Sequence, residues 1–145
     1  VSVTHLYDVQ VAWENDRKGL LSSKELNQNI EVVTPPEFPK GIAGVWSPEH
    51  LFVAAINSCL MTTFLAIAEN SKLEFTSFSS DATGKLEMID GKYLMSEVNL
   101  YPKVVVNSGV DKERVERILN KSEAACLISN SIKSKINFFP EVIYN

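Results

Sequence analysis

Cysteine and histidine are scarce in this chain, with two of each among 145 residues. Two cysteines cannot staple a small secreted fold, and in a reducing compartment they should not form a permanent structural bridge. Neither Cys59 and Cys126 nor His5 and His50 show the short-range spacing of a zinc site, so no metal and no other cofactor is expected. Positive charge is also short: 14 lysines and arginines against 18 acidic residues leave a net charge of -4. The basic residues are scattered, which leaves no footprint for a phosphate backbone, and nucleic acid is excluded as an expected partner. No apolar run approaches the ~20 residues of a membrane-spanning helix. The opening Val1-Ser2-Val3-Thr4-His5 lacks the charged and apolar regions of a signal peptide. A cytoplasmic protein with no membrane partner is the expectation. Internal repeats, linkers and low-complexity tracts are absent as well.

What is present is an ordinary globular composition, 45% hydrophobic and 22% charged. A chain of this size fits one domain, residues 1–145, burying roughly two-thirds of its unfolded surface. Alternation at Val3, His5, Tyr7, Val9, Val11 and Trp13 predicts a half-buried first strand. Turn residues Asn15 to Gly19 lead to a short partner strand over 19–22, and a third strand over 29–34 is stopped by Pro35-Pro36. Two long extended segments, 73–89 and 93–106, are joined by the hairpin signal Asp90-Gly91, and Pro102 argues for an edge or bulge. Asp111 caps a helix expected to run through Cys126 to about Ile132, with a break near Ser122, and 135–144 closes the chain as a strand.

Between these strands Ser47-Pro48-Glu49 opens a helix: serine caps, proline is tolerated at the first position, and glutamate suits the positive end. From Leu51 to Ala68 the residues are apolar almost all round. Such a helix must be buried on most sides, and one sheet covers only one face. A second copy of the chain would cover the other.

Ser47-Pro48-Glu49-His50-Leu51, followed by Ala54-Ala55-Ile56-Asn57-Ser58-Cys59, resembles the central helix of the OsmC/Ohr family, named for osmotically inducible protein C and organic hydroperoxide resistance protein. Glu123-Ala124-Ala125-Cys126-Leu127-Ile128-Ser129 resembles its second cysteine segment. The resemblance implies an α+β fold with antiparallel sheets around a buried cysteine helix, in an intertwined homodimer. It implies a hydroperoxide reductase in which Cys59 is the peroxidatic thiol and Cys126 the resolving thiol, with Arg17 and Glu49 beside the first. An external dithiol, of lipoyl type in the hydroperoxide-resistance branch, would reopen the disulfide.

The chemistry requires these residue types. A thiolate, not a thiol, attacks peroxide oxygen, and a guanidinium would favour the anion. A carboxylate next to a thiolate would raise its pKa, so Glu49 is read as holding the arginine. Ten residues of continuous helix rise about 15 Å, so Glu49 and Cys59 of one chain meet only if the helix breaks; otherwise the partner supplies the arginine and glutamate. The alternative is a sensing or small-ligand-binding protein that keeps the fold and the cysteines without significant turnover. His50, and the aromatic residues Trp46, Phe52 and Phe64, read as structural.

Overall fold

The computed structural model describes residues 2–145. The chain divides into two compact units, one ending at Leu51 and the other starting at Phe52. In the first, β1 (Gln10–Asn15), β2 (Lys18–Ser22) and β3 (Ile30–Val33) form an antiparallel meander in that order. The β1–β2 turn is the two-residue Asp16-Arg17, closed by the pair Asn15 and Lys18. Asp16 takes a φ of 45°, which its short polar side chain tolerates, and its carbonyl accepts from Trp13 Nε1 at 3.0 Å. After β3 the chain folds back so closely that a Cβ at Gly41 would lie 2.0 Å from the Pro35 carbonyl oxygen. Only glycine fits there.

The first strand is shorter than its alternation predicts. Residues 2–9 are outside any ladder and β1 begins at Gln10. Every residue of β1 is exposed, including Val11 at 62% and Trp13 at 76%. Alternation marks a face that requires burial; it does not ensure that the same chain supplies the cover.

In the second unit β4 (Ser77–Ile89) and β5 (Lys92–Val106) form a long antiparallel hairpin. Its two-residue turn, Asp90-Gly91, has both φ angles positive, as the hairpin signal predicts. The closing segment is not one strand but two, β6 (Lys135–Phe138) and β7 (Glu141–Tyr144), both parallel to β5. The sheet is therefore mixed, a refinement of the antiparallel sheet expected. Pro102 explains the split. The Phe139 amide donates to the Leu100 carbonyl at 2.9 Å, so the polar backbone groups of Leu100, and those two residues on, face this edge. Pro102 has no N–H to give. It falls between the last β6 pair, Leu100 with Phe138, and the first β7 pair, Lys103 with Glu141. It therefore lies within β5, at a gap in pairing, where no amide is needed.

Two helices complete the described residues: α1 (Pro48–Asn70) and α2 (Lys112–Ala125). Ser47 Oγ accepts from the His50 amide at 3.1 Å and shares a 2.6 Å hydrogen bond with His50 Nδ1, so His50 completes the cap of α1. Ile56, Leu60, Phe64 and Ala68 recur every fourth position and form its buried stripe. Ile56 and Leu60 pack with Val98 and Leu100 of β5, while Phe64 and Ala68 join Val104, Val106, Val115 and Leu119. The rest of the helix is less covered, with Met61 39% and Leu65 40% exposed. By length and composition α1 is apolar enough to cross a membrane, contrary to the expectation that no segment is. Its stripe packs on the sheet as that of a core helix does. Helix α2 stops earlier than expected: Asp111 caps it as anticipated, but Cys126 turns extended at φ -65° and ψ 112° and forms its C-cap. A short 3-10 turn over Ser129–Ser131 follows.

Candidate active site

Cys59 lies at mid-length on α1, next to the buried stripe and half-buried itself. Cys126, at the end of α2, has no exposed surface. Both thiols are reduced, and the Cys126 side chain is close enough to Cys59 to lower its pKa. The early stop of α2 makes this meeting productive. If α2 continued, the Leu127 and Ile128 amides would bond to carbonyls one turn back. Because Cys126 leaves the helical conformation, both amides are free of that ladder and favour the Cys59 thiolate instead. The connection is held by the Cys126 amide donating to the Glu123 carbonyl at 3.2 Å and by the Asn130 amide donating to the Cys126 carbonyl at 3.0 Å.

The two sulfurs are driven apart electrostatically. Burial would raise the Cys59 pKa, but hydrogen bonds from the Ile128 amide, the Cys126 thiol, Thr63 and the Leu127 amide outweigh it and hold it below the ordinary thiol value. Thr63 stands one turn further along α1, with Oγ1 3.9 Å from Cys59 Sγ. Burial raises Cys126, Ser129 opposes it through its side chain and its backbone, and the charge developing on Cys59 adds to the rise. Cys59 is thus the better thiolate and Cys126 the thiol that donates to it. Thr63, Leu127 and Ile128 were not anticipated. Thr63 was accessible from its i+4 spacing, whereas the amides depend on a helix end that residue type does not announce.

Arg17 and Glu49 belong to the first unit, where they line one pocket of about 750 Å³ together with Trp13, Val33, Pro35 and Phe38. Arg17 is exposed at its turn, whereas Glu49 Oε1 is buried and has no hydrogen-bond partner. Among the described residues no ion pair joins them, so the bidentate contact expected from the sequence is not made here. Helix α1 is unbroken, and the ten residues from Glu49 to Cys59 therefore rise about 15 Å along it. Of the two ways of bringing Glu49 to a Cys59 site, a break in the helix is removed. Among the described residues no three or more His, Cys, Asp or Glu side chains gather as a metal site would.

Comparison with known proteins gives a consistent result. The chain is 28% identical over 133 residues to Peroxiredoxin OsmC of Escherichia coli (strain K12), covering 88% of this chain and 90% of that protein. Its fold matches an OsmC-like protein of unknown function from Vibrio cholerae with a TM-score of 0.84, at 24% identity and covering 94% and 99% of the two chains. It also matches the organic hydroperoxide resistance protein OhrB of Bacillus subtilis with a TM-score of 0.70, at 16% identity and covering 95% and 98%. The family model described as OsmC-like protein matches residues 41–140, a span that includes both cysteines and the whole β4–β5 hairpin between them, and the chain belongs to that family.

Proposed function

We propose that this protein reduces organic hydroperoxides by thiol chemistry. The observation that carries the reading is the opposite perturbation of two adjacent thiols: Cys59 is held low by the Ile128 and Leu127 amides, and Cys126 is kept protonated beside it. The names of the relatives, a peroxiredoxin and an organic hydroperoxide resistance protein, point the same way.

The Cys59 thiolate attacks the terminal oxygen of the hydroperoxide. The O–O bond breaks, a sulfenic acid forms on Cys59, and the alkoxide takes a proton and leaves as the alcohol. Cys126 then attacks the oxidised sulfur, forming the disulfide and releasing water. An external dithiol, of lipoyl type, returns both sulfurs to thiols. The chemistry suits a reducing, cytoplasmic setting.

A homodimer supports this cycle. The continuous helix separates Glu49 from Cys59, so the Arg17 and Glu49 that complete a Cys59 site come from the partner subunit. The exposed apolar residues Val9, Val11 and Trp13, and on α1 Met61 and Leu65, give a second copy much to cover. Glu49 Oε1, buried without a partner, suits an arginine fork that closes when the site is assembled.

Steady-state turnover of cumene hydroperoxide with dihydrolipoamide tests the reading. Turnover abolished by Cys59→Ser is the expected result. Absence of turnover in the unsubstituted protein, with Cys59 unreactive towards dimedone after peroxide, overturns it in favour of a sensing or ligand-binding role.

A further inference from the structure

Resolution of the oxidised Cys59 poses a chemical difficulty. Cys126 must attack as a thiolate, but it is fully buried and burial favours its thiol. Water cannot reach the sulfur to take the proton. An acceptor inside the protein is needed.

The end of α2 holds one. Glu123 is one turn before Cys126 and Ser129 three residues after it. Glu123 Oε2 and Ser129 Oγ are both buried, and neither has a hydrogen-bond partner. Buried polar atoms without partners are rare in folded proteins. Here the two orphans are neighbours: Ser129 is close enough to act on the Glu123 carboxyl on one side and the Cys126 thiol on the other. Burial lifts the Glu123 pKa above the ordinary carboxyl value, opposed only by Ser129. Burial and Ser129 are what shift Glu123, and the titratable group foremost in shifting Cys126 is Cys59, from α1. A carboxylate made more basic by burial is the better proton acceptor.

We propose that Glu123, acting through the Ser129 hydroxyl, takes the proton from Cys126 as its sulfur attacks oxidised Cys59. In the peroxide cycle the Cys126 proton passes to Ser129 Oγ, whose own proton passes to Glu123. The Sγ–Sγ bond forms, the S–O bond of the sulfenic acid breaks, and the departing hydroxide becomes water by taking a proton from Glu123. The carboxylate is restored, and the proton lost by the thiol ends on the water. This role rests on the proposed peroxidase cycle, but the proton transfer itself needs only a leaving group on Cys59.

That difference sets the experiment. Cys59, the half-exposed thiol, is loaded with thionitrobenzoate from Ellman's reagent, and release of the free thiolate is followed as Cys126 displaces it. Peroxide consumption is measured separately. Release from the unsubstituted protein should stay fast down to the carboxyl range of pH. In Glu123→Gln, which is nearly isosteric, release should fall about ten- to a hundredfold at neutral pH, the scale of one positioned base. It should rise tenfold per pH unit until Cys126 titrates and there rejoin the unsubstituted rate. Ser129→Ala should behave alike, and Glu123→Asp should recover part of the flat profile. Release at unsubstituted rates and with an unsubstituted pH profile in both Glu123→Gln and Ser129→Ala overturns the relay, even if peroxide is consumed. Slowed, pH-dependent release in a protein that consumes no peroxide upholds the relay and removes the peroxidase reading instead.

Discussion

The Cys126 side chain lies beside Cys59, and that contact lowers the pKa of one sulfur while the other sulfur's charge raises its neighbour's. The asymmetry comes from position. Cys59 is at mid-helix, where the amides of Ile128 and Leu127 reach it, whereas Cys126 is the residue whose departure from the helix frees them. Alkylation by iodoacetamide should therefore label Cys59 first, with a pH midpoint below that of a free thiol. Thr63→Val removes one of the weaker donors and should move the midpoint up, slowing labelling at neutral pH about two- to fivefold, the scale of one modest hydrogen bond. An unchanged midpoint in Thr63→Val would show that the backbone amides and the Cys126 thiol set it without Thr63.

Separating the two thiols by substitution should separate two steps. Cys126→Ser is expected to consume one equivalent of hydroperoxide and then stall, with Cys59 trapped by dimedone as sulfenic acid and converted to sulfinic acid by excess peroxide. Mass spectrometry of the intact chain reads both products. A Cys126→Ser protein that turns over at the unsubstituted rate would mean that the external dithiol attacks Cys59 directly.

Much of this arrangement was legible in the sequence, and what was not has physical causes. The Asp90-Gly91 turn and the serine cap at Ser47 follow from local rules and each is present, whereas the helix read as apolar almost all round and buried on most sides has one buried stripe, with Met61 and Leu65 exposed. Local rules could not shorten the first strand, because Val3, Tyr7 and Val9 continue the alternation of Val11 and Trp13 and yet lie outside any ladder. Nor could they divide the last strand, since Pro140 alone does not reveal that Pro102 leaves the facing edge without an amide. The cysteines were found through the motifs around them. The donors that tune Cys59 are backbone groups exposed by a helix that stops at Ala125, and any residue types at 127 and 128 other than proline could have supplied them.

The assignment of Arg17 and Glu49 to a partner's Cys59 site makes a prediction about mixed dimers. Arg17→Ala and Cys59→Ser should each be inactive alone. Co-expressed, they should form hybrids in which one site combines the Cys59 of one subunit with the Arg17 of the other. With random pairing about half the dimers are hybrids with one intact site of two, so activity should return to roughly a quarter of the unsubstituted value. No recovery, with hybrids demonstrated by differential tagging, would assign the arginine and the cysteine to the same chain. Arg17→Lys should lose most of the activity as well, since an ammonium cannot form the guanidinium fork.

The buried carboxyl of Glu123 should also leave a mark on stability. Its pKa is raised by burial, so the folded protein binds its proton more tightly than the unfolded chain does. Between the unfolded and folded pKa values the native state therefore holds more protons, and the stability of the protein must fall as the pH rises through that interval. The contribution of the protonated form is fully present below the unfolded carboxyl value and is lost above the folded one. Glu123→Gln has no charge to bury, so it should be no more stable than the unsubstituted protein at low pH and more stable at neutral pH. Urea midpoints compared at several pH values read the difference directly, because other titrating groups contribute equally to both proteins. A constant difference across the series would mean that the Glu123 carboxyl titrates alike in the folded and unfolded states, and that the desolvation at the end of α2 has no thermodynamic weight.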